Sequence, residues 1–412
     1  MLLLAHPFGN ANVRAVARAF FNEGLLSEFH SCICWNSHTP LAALLPTFLS
    51  EQFNRRAFDD IPYSLQHSYP WREILRLIVP RLPLIRHAGW NLISDKDVYR
   101  SFDRHIASHL SSVAGLKAVY SYEYGSLRTF QTARKLGLTT MYDLPIGYWR
   151  AARDIFEEER ELQPQWACTM NEMQNDDHTA ARKDEELELS DHVIVPSQFV
   201  ADTLREYGSF HRPVSVIPFG SPPLSRFTQR LDYHGPLRVL YVGALRQRKG
   251  ISYLLDAIHQ VGADAQLTLI GRLTTGDCEP LNRALEHHRW IPSLPRNSIL
   301  EQMSQHDVLV LPSLFEGYAL VISEALSQGL PVITTINSGA LDVIRDGIEG
   351  FIVPIRSSVA IAERLHQLTH NPGLLNDMRS ACFRRASERT WQDYEREICT
   401  VLGSYLGISE TN

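Results

Sequence analysis

The sequence predicts an α/β protein made of two doubly wound domains that face each other across a cleft. Short apolar runs alternate with helix-like segments along most of the chain, which is the pattern of parallel strands joined by crossover helices. At 412 residues the chain is too long for one hydrophobic core and suits two domains. A stretch rich in turn-forming residues at 220–227 marks the predicted boundary between them.

The first domain, residues 1–219, begins with an apolar strand, a turn at Gly9 and Asn10, and a helix that is expected to reach about Leu26. Cys32 and Cys34 alternate in a further apolar run and are expected to share one face of a strand. Later strands are predicted at residues 117–122, 139–143, 191–197 and 214–218.

The second domain, residues 220–389, repeats this alternation from a strand that starts at Leu237. The final segment, residues 390–412, is predicted to be helical. Both halves therefore follow the same architecture.

Residues 36–100 are the least regular part of the chain. Apolar residues mix there with four arginines, Arg72, Arg76, Arg81 and Arg86. The mixture suits a membrane-surface or acceptor-docking element, and equally a loop packed over the first sheet. Pro80 and Pro83 break any long helix, so the sequence leaves both interpretations open.

The composition is that of an ordinary globular protein, with 44% hydrophobic and 21% charged residues. The net charge of −6 provides no general attraction to nucleic acid, so an anionic ligand must be bound by a local basic cluster. Six cysteines without a CxxC pair predict buried thiols rather than a disulfide or metal site. The chain shows no basic leader and no apolar run long enough for a bilayer, which predicts a cytoplasmic protein without a transmembrane segment.

Two glutamates, Glu316 and Glu324, follow a run of apolar residues that predicts a buried strand. Glu316 falls on the loop between that strand and the next helix, where backbone amides favour an anion. Glu324 falls about two helical turns later, on a face that can return to the same crevice. A carboxylate there can accept two hydrogen bonds from a vicinal diol such as a ribose. Taken alone, the pair also fits a helix N-terminal glutamate and an unrelated surface glutamate.

A basic cluster precedes the two glutamates. A predicted strand ends at the Gly243 turn, and Arg246, Arg248 and Lys249 follow before a helix begins after Gly250. Further glycine-marked segments at residues 329–335 and 339–354 complete an ordered set of motifs.

This ordered set resembles the donor-binding half of the family 4 retaining glycosyltransferases with the GT-B fold, most closely over residues 190–356. The resemblance implies that the C-terminal helix crosses back to the N-terminal domain. It implies transfer of a sugar, with retention at the anomeric carbon, from a UDP- or GDP-type nucleotide sugar to a carbohydrate or lipid-linked acceptor, as in polysaccharide or glycoconjugate synthesis. No cofactor and no metal ion are expected, and the implied location is the cytoplasm, with peripheral contact at the inner face of the membrane.

The resemblance assigns catalytic roles to Lys249, Arg248 and Glu316. Lys249 matches the lysine of the family's Gly…Lys-Gly motif and is expected, as a surface turn lysine, to place its charge against the departing diphosphate. The family generally carries an arginine at the position of Ala244, so the second phosphate contact is assigned to Arg248 or Arg246. By the same match, Glu316 contacts the donor sugar.

Donor-binding roles are expected for a larger set of residues. Glu324 is expected to hold the ribose. The loop at residues 317–320 matches the family's Gly-Phe-Gly-Leu and presents backbone amides to the sugar and the distal phosphate. Gly9, after the first strand, allows a close approach to the diphosphate from the opposite wall. The predicted set is Gly9, Gly243, Arg246, Arg272, Tyr318, Ala319, Leu320 and Glu324.

On the acceptor side the candidates are Asp143 and Tyr148. Many relatives carry a histidine after the strand that ends here at Asp143, and Tyr148 lies close to that place. Asp143 at the carboxyl end of a strand is a site position in an open α/β sheet, and equally a cap for the turn before Pro145. The missing histidine is compatible with a retaining enzyme of this fold, since the departing phosphate can take the acceptor proton.

Three further features are expected to be structural. Asp95 and Asp97 resemble a DxD metal motif but lie where acidic residues cap a helix. His105 and His109 have a ligand spacing on a predicted helix, without an evident third ligand. The acidic run at residues 157–161 is expected to be a solvated helix face.

Two other functions stay open on the sequence. Another GT-B activity, such as that of a sugar-nucleotide epimerase, needs acid–base groups in the cleft. A catalytically silent scaffold that binds a nucleotide sugar is compatible with Ala244 and Tyr148, which depart from the family pattern. Donor hydrolysis or transfer by the purified protein separates these functions.

Overall fold

The computed structural model describes residues 1–36, 53, 56–78, 94–170, 177–207, 210–225 and 235–406. These residues form two parallel β-sheets flanked by helices, so the predicted α/β class is confirmed. Part of the irregular segment at residues 36–100, with its Pro80, Arg81, Pro83 and Arg86, lies outside the described residues.

The first sheet lies in the N-terminal half. Its strands are β1 (Leu2–Ala5), β2 (Leu26–Ser31), β3 (Gln66–Ser68), β4 (Ala118–Tyr122), β5 (Thr139–Asp143), β6 (His192–Val195) and β7 (Val214–Val216). They are parallel, in the order β3-β2-β1-β4-β5-β6-β7. The helices are α1 (Ala11–Asn22), α2 (Trp71–Ile78), α3 (Asp95–His109), α4 (Leu127–Lys135), α5 (Trp149–Leu162), α6 (Asp177–Leu189) and α7 (Gln198–Tyr207). Leu2 and Leu4 pack in one core and Leu3 and Ala5 in another, so both faces of this sheet are covered.

The second sheet lies in the C-terminal half. Its strands are β8 (Leu237–Val242), β9 (Ala265–Ile270), β10 (Arg289–Ile291), β11 (Val308–Leu311), β12 (Val332–Thr335) and β13 (Gly350–Val353). They are parallel, in the order β10-β9-β8-β11-β12-β13. The helices are α8 (Ile251–Val261), α9 (Glu279–His287), α10 (Arg296–Gln305), α11 (Leu320–Ser327), α12 (Ser358–Thr369), α13 (Pro372–Glu388) and α14 (Trp391–Leu406). None of the helices in the described ranges has the length and apolar character that a bilayer span requires.

The first helix is shorter than predicted. α1 ends at Asn22 rather than near Leu26. The amide of Gly24 donates to the carbonyl of Phe21 at 3.0 Å, and the φ of Gly24 is 66°. This left-handed conformation costs glycine little and ends the helix, so Leu26 becomes the first residue of β2.

All six cysteines are free thiols. Cys32, Cys278 and Cys382 are buried as predicted, and the other three are half-buried. The prediction that Cys32 and Cys34 share a strand face is wrong, because β2 ends at Ser31.

Both sheets reverse their strand order at one point. In the first sheet the chain runs outward from β1 to β3 and resumes on the other side of β1 with β4. In the second sheet β8 and β11 occupy the equivalent neighbouring places. Ligands of open parallel sheets bind beyond the carboxyl ends of the strands at this switch point. A ligand site is therefore expected at the loops that follow β8 and β11.

The last helix returns to the first domain. Gly220 and Trp391, on the two crossings between the domains, lie so close that a Cβ on Gly220 would be 2.3 Å from the Trp391 nitrogen. α14 then packs against α1, where Arg18 Nε donates to Glu395 Oε1 at 3.1 Å. Tyr394 of α14 is completely buried. The predicted return of the C-terminal helix is therefore confirmed.

Glu159 on α5 joins the two domains. Its carboxylate is completely buried and accepts hydrogen bonds from Gln247 Nε2 and the Tyr253 hydroxyl, at 2.7 and 3.0 Å. The guanidinium of Arg356 donates to it at 2.7 Å. All three donors belong to the second domain. The expectation of a solvated helix face at residues 157–161 is therefore wrong at this position.

We expect Glu159→Ala to lower the free energy of unfolding by about 3 kcal/mol or more, because three donors lose their buried acceptor. Chemical denaturation followed by tryptophan fluorescence measures this change. Glu157→Ala on the same helix is the matched control: its side chain is 63% exposed. The control should change the free energy by less than about 0.5 kcal/mol. Equal effects of the two substitutions would contradict the bridging role.

Candidate active site

Two loops at the switch point of the second sheet carry the residues predicted to be catalytic. Residues 243–250 follow β8 and residues 312–319 follow β11, and these two strands are neighbours. Because both strands run in the same direction, their carboxyl ends bring both loops to one edge of the sheet. The amide of Leu314 donates to the carbonyl of Arg248 at 2.9 Å, which joins the loops directly.

Glycines allow these loops to approach their neighbours. Gly250 has a φ of 70°, and a Cβ there would lie 2.0 Å from the Pro312 carbonyl oxygen. After β9, a Cβ on Gly271 would lie 1.7 Å from the Gly243 carbonyl oxygen. A larger residue at either place would push the backbone apart. The glycines therefore determine how closely the loops pack.

Lys249, Arg248 and Glu316 form one charged cluster, which we call the Lys249 cluster. Lys249 Nζ lies 2.5 Å from Glu316 Oε1, and Arg248 Nη1 lies 2.7 Å from the same oxygen. The side chains of Lys249 and Glu316 are only 14% and 12% exposed. The structure thus brings together the three residues that the sequence singles out for catalysis.

Burial and opposite charge act against each other in this cluster. Burial raises the pKa of Glu316, but Lys249 and Arg248 outweigh it and hold the pKa below its usual value. Burial lowers the pKa of Lys249, and Glu316 restores only part of the loss. The expectation that Lys249 is a surface lysine is therefore wrong, because the loop packing encloses it with its carboxylate partner.

Within the Lys249 cluster itself, two cations share one carboxylate. Arg246 lies close enough to Lys249 to contribute to the lowering of the lysine pKa. Burial, followed by the charge of Arg248, lowers the pKa of Arg246 itself. The ion pairs of the cluster thus join two cations, Lys249 and Arg248, to one carboxylate, Glu316. Such an excess favours the binding of a further anion.

The first domain holds the loop at residues 243–250 in place through Gln247. This residue is buried, and its backbone amide donates to Thr169 Oγ1 at 3.0 Å. Its side chain donates to Glu159 Oε1 at 2.7 Å. Gln247 and Glu159 could not be identified from the sequence, because no local pattern connects residues that lie 88 positions apart. Their bonds fix the loop from both domains.

The loop before α11 presents free backbone donors. The amides of Glu316 and Ala319 are used internally, on the carbonyls of Asn337 and Ser338 at 2.9 and 3.1 Å. The amides at positions 317, 318 and 320 donate to no residue that the structure describes. Ala319 therefore cannot donate to a ligand as predicted without losing its own bond, whereas the amide of Leu320, at the start of α11, can donate to an anion.

The side chain of Tyr318 is buried at the junction of the domains. Its hydroxyl donates to the carbonyl of Phe219 at 3.0 Å and lies 3.1 Å from Ser323 Oγ. The rings of Tyr318 and Phe219 pack edge to face at 5.1 Å. Tyr318 can therefore contact a nucleotide-sugar donor only through its backbone.

Glu324 and Arg272 lie near the switch point on other elements. Glu324, on α11, accepts from Arg296 Nε at 3.0 Å, and burial raises its pKa although Arg296 opposes the shift. Arg272 is exposed on the loop after β9, and its carbonyl accepts from the amide of Leu245 at 3.0 Å. No hydrogen bond among the described residues joins either side chain to the Lys249 cluster. Their donor contacts stay predictions.

Packing within the first domain requires a glycine at position 9. A Cβ at this position would lie 2.3 Å from the ring of Phe58. The neighbouring Asn10 caps α1, because its side chain accepts from the amide of Val13 at 3.3 Å. The glycine is thus explained within the first domain, and its contact with a diphosphate stays a prediction.

Asp143 is 2% exposed inside the first domain. Its carboxylate accepts from the hydroxyl of Tyr120 at 2.7 Å. Burial raises its pKa to about 7, although that hydrogen bond opposes the shift. No hydrogen bond among the described residues makes Asp143 a cap for the turn before Pro145, and its predicted contact with an acceptor stays a prediction.

Tyr148 is bound to the helical layer of the first domain. Its hydroxyl donates to Asp184 Oδ1 at 2.5 Å and accepts from Arg150 Nε at 3.2 Å. It lines a cavity of about 910 Å³ together with residues of α5, α6 and α7. Its predicted role on the acceptor side stays a prediction.

In the DxD pattern, Asp97 belongs to a helix cap and Asp95 to an ion pair. Ser94 Oγ accepts from the Asp97 amide at 3.2 Å, and Asp97 Oδ2 accepts from the Ser94 amide at 3.0 Å. Asp95 pairs with Arg76 at 2.9 Å. The structural interpretation of this motif is therefore confirmed.

Two doubly wound domains with a cationic cluster at a switch point define a class of α/β proteins that bind phosphate-bearing ligands. Residues 226–385 match the family model described as glycosyl transferases group 1. The group 1 glycosyltransferase match therefore covers most of the second domain.

Curated relatives agree with this match. The putative colanic acid biosynthesis glycosyltransferase WcaL of Salmonella typhimurium is 26% identical over 232 residues, covering 52% of this chain and 56% of that protein. The amylovoran biosynthesis glycosyltransferase AmsK of Erwinia amylovora is 29% identical over 174 residues, covering 38% of this chain and 42% of that protein. The chain spans about half the length of these relatives.

Solved structures resemble the whole chain. Sucrose-phosphate synthase from Thermosynechococcus elongatus has a TM-score of 0.71 at 16% identity, covering 99% of both chains. Anabaena Alr3699/HepE in complex with UDP has a TM-score of 0.62 at 14% identity, covering 98% of this chain and 99% of the other. The likeness shows the fold, which is the predicted GT-B arrangement of two facing domains.

A double-mutant cycle tests whether Lys249 and Glu316 act as a buried pair. We expect Lys249→Met and Glu316→Gln to show a coupling of about 1–3 kcal/mol in the free energy of unfolding, measured by urea denaturation. Glu279 and Arg283 form a matched control pair on α9, with side chains 73% and 71% exposed. Their coupling should stay below about 0.5 kcal/mol. Similar couplings for the two pairs would refute the buried-pair description.

Proposed function

We propose that this protein transfers a sugar from a nucleotide-diphosphate sugar to a carbohydrate or lipid-linked acceptor. The observation that carries the proposal is the Lys249 cluster at the switch point of the domain that matches the group 1 glycosyltransferases. The names of the colanic acid and amylovoran relatives support a place in polysaccharide or glycoconjugate synthesis. A cytoplasmic location with peripheral contact at the inner face of the membrane stays a prediction.

The charges of the cluster suit this reaction. As the anomeric bond breaks, negative charge grows on the departing diphosphate, and fixed cations in an enclosed site stabilise it. Lys249 and Arg248 are already oriented, because both bind the same oxygen of Glu316. Glu316 is ionised at neutral pH, since its pKa is lowered, and can accept hydrogen bonds from sugar hydroxyls.

The donor is proposed to be of the UDP or GDP type. Complexes of Anabaena HepE and the pneumococcal transferase GtfA with UDP support a nucleoside diphosphate in a protein of this fold. Glu324 is the proposed ligand of the ribose. Its carboxylate pairs with Arg296, and on binding the diol it would either keep this pair or exchange it for the two hydroxyl groups. Gly243 and the amides at positions 317, 318 and 320 would face the diphosphate and the sugar.

Retention of the anomeric configuration and independence from metal ions are part of the proposal. The resemblance to the family 4 enzymes supports retention. The basic residues Arg246, Arg248 and Lys249 support metal independence, because fixed cations can stabilise charge on a diphosphate in place of a divalent cation.

Release of nucleoside diphosphate from UDP- and GDP-sugars tests the proposed function. We expect Lys249→Ala to lower kcat about 100-fold, because the departing group loses a fixed cation. The variant should also melt at a lower temperature, since Glu316 loses one partner, so both proteins are compared where they are folded. Arg283→Ala, on the exposed side of α9, is the control and should leave kcat unchanged.

Three further measurements on the wild-type protein decide between the alternatives. A wild-type protein that neither transfers nor hydrolyses any donor, while still binding a nucleoside diphosphate, would be a silent scaffold. Activity should survive EDTA, and a loss that magnesium or manganese restores would assign the charge balance to a metal. NMR of the product should show the anomeric configuration of the donor.

We expect Glu324→Ala to weaken nucleotide binding by about 1.5–3 kcal/mol, because charge-assisted hydrogen bonds to the ribose are lost. Calorimetry with a nucleoside diphosphate and with its 2′,3′-dideoxy analogue measures the effect. The variant should bind both ligands equally. Glu301→Ala, on the exposed surface of α10, is the control and should keep the preference for the diol. A strong preference in Glu324→Ala would assign the ribose to another residue.

A further inference from the structure

A group of histidines and one glutamate lies at the edge of the first sheet, outside the Lys249 cluster. Glu28 and His30 are two residues apart on β2, so their side chains lie on the same face. β3 pairs with β2 in the register that places His67 beside His30. His105 and His109 are one turn apart on α3, at the ligand spacing that the sequence shows.

Three ligand atoms converge in this group. Glu28 Oε2 lies 2.7 Å from His30 Nε2 and 2.8 Å from His109 Nε2. One ligand atom from each residue falls within 4.8 Å of the others. His67 Nε2 lies 3.9 Å from the same glutamate oxygen. The partners of His109, which are not evident in the sequence, therefore come from β2. His105 is outside this set, and its ring stacks on Tyr69 at 4.1 Å.

Among the residues that the structure describes, no lysine or arginine forms an ion pair with the carboxylate of Glu28. In the part of the chain that the structure describes, the side chains bound to it are His30, His67 and His109, with neither a lysine nor an arginine among them. The side chains of Glu28 and His30 are 19% and 3% exposed. A shielded carboxylate beside imidazole rings lacks a full charge partner, and a divalent cation supplies one.

We propose that Glu28, His30 and His109 bind a zinc ion between β2 and α3. Imidazole nitrogens and carboxylate oxygens are typical zinc ligands, with bonds of about 2.0–2.2 Å and hence ligand separations of about 3.3 Å. The observed separations of 2.7 and 2.8 Å need to widen by about half an ångström, and the nitrogens of His30 and His109, which lie within 4.8 Å of each other, need a separation of about 3.3 Å. Ser112 Oγ lies 3.2 Å from His109 Nδ1, which orients that ring and leaves its Nε2 for the metal. His67, whose Nε2 lies 3.9 Å from Glu28 Oε2, is the candidate for a fourth ligand.

The role of this ion is structural. It fastens α3 to β2 near the edge of the first sheet. None of its ligands belongs to the Lys249 cluster, so the zinc site is tested independently of the proposed sugar transfer.

Titration of the chelator-treated full chain with zinc chloride tests the proposal. Calorimetry is expected to show one zinc ion per chain, and the melting temperature should rise with zinc because the ion binds the folded state. Glu28→Gln and His109→Gln should each weaken zinc binding about 100-fold or more. These positions are chosen because their side chains are 19% and 29% exposed, so the core is left intact. Circular dichroism checks the fold of each variant.

His105→Gln is the matched control, since this residue lies one turn away on the same helix. Its zinc affinity should stay within about threefold of the wild type. Cobalt in place of zinc should give the visible absorption of a four-coordinate site in the wild type and the control only. Failure of the wild type to bind stoichiometric zinc would overturn the proposal. So would unchanged affinity in Glu28→Gln and His109→Gln, or an equal loss in His105→Gln; the group would then be a hydrogen-bonded polar cluster.

Discussion

The carboxylate of Glu316 is the group on which the candidate site depends. Without it, Lys249 and Arg248 would be two like charges in a largely enclosed loop, at a cost of about several kcal/mol. By binding both cations, Glu316 allows the loop after β8 to lie against the loop after β11. The contact of Gly250 with the Pro312 carbonyl requires the same approach. Charge pairing and backbone packing therefore select one arrangement, in which positive charge is already oriented when an anion arrives.

The opposite domain takes part in this arrangement. Gln247, beside the cationic residues, is bound by Thr169 and Glu159, and Ser197 Oγ donates to the Gly317 carbonyl at 2.6 Å. Both loops of the site are thus anchored on residues of the first domain. A relative movement of the domains would change the positions of the loops as well as the width of the cleft. The site is consequently a property of the two domains together.

Features with a short-range pattern could be predicted from the sequence, and side-chain partners from distant segments could not. The alternation of strands and helices is local, and the proximity of Lys249 and Glu316 follows once the order of parallel strands is inferred. An acidic residue on an amphipathic helix has the same local pattern whether it meets water or, like Glu159, an arginine 197 residues away. For the same reason His109 gave no sign of its partners on β2.

The first domain is not one continuous stretch of chain. Its last helix, α14, follows the whole second domain, and Tyr394 from that helix packs in the same hydrophobic core as Phe20 and Tyr120. During translation, a chain that has just left the ribosome as far as β7 still lacks the helix that completes this core. Its apolar surface beside α1 stays uncovered until the second domain has been synthesised. The domain that is started first is therefore finished last.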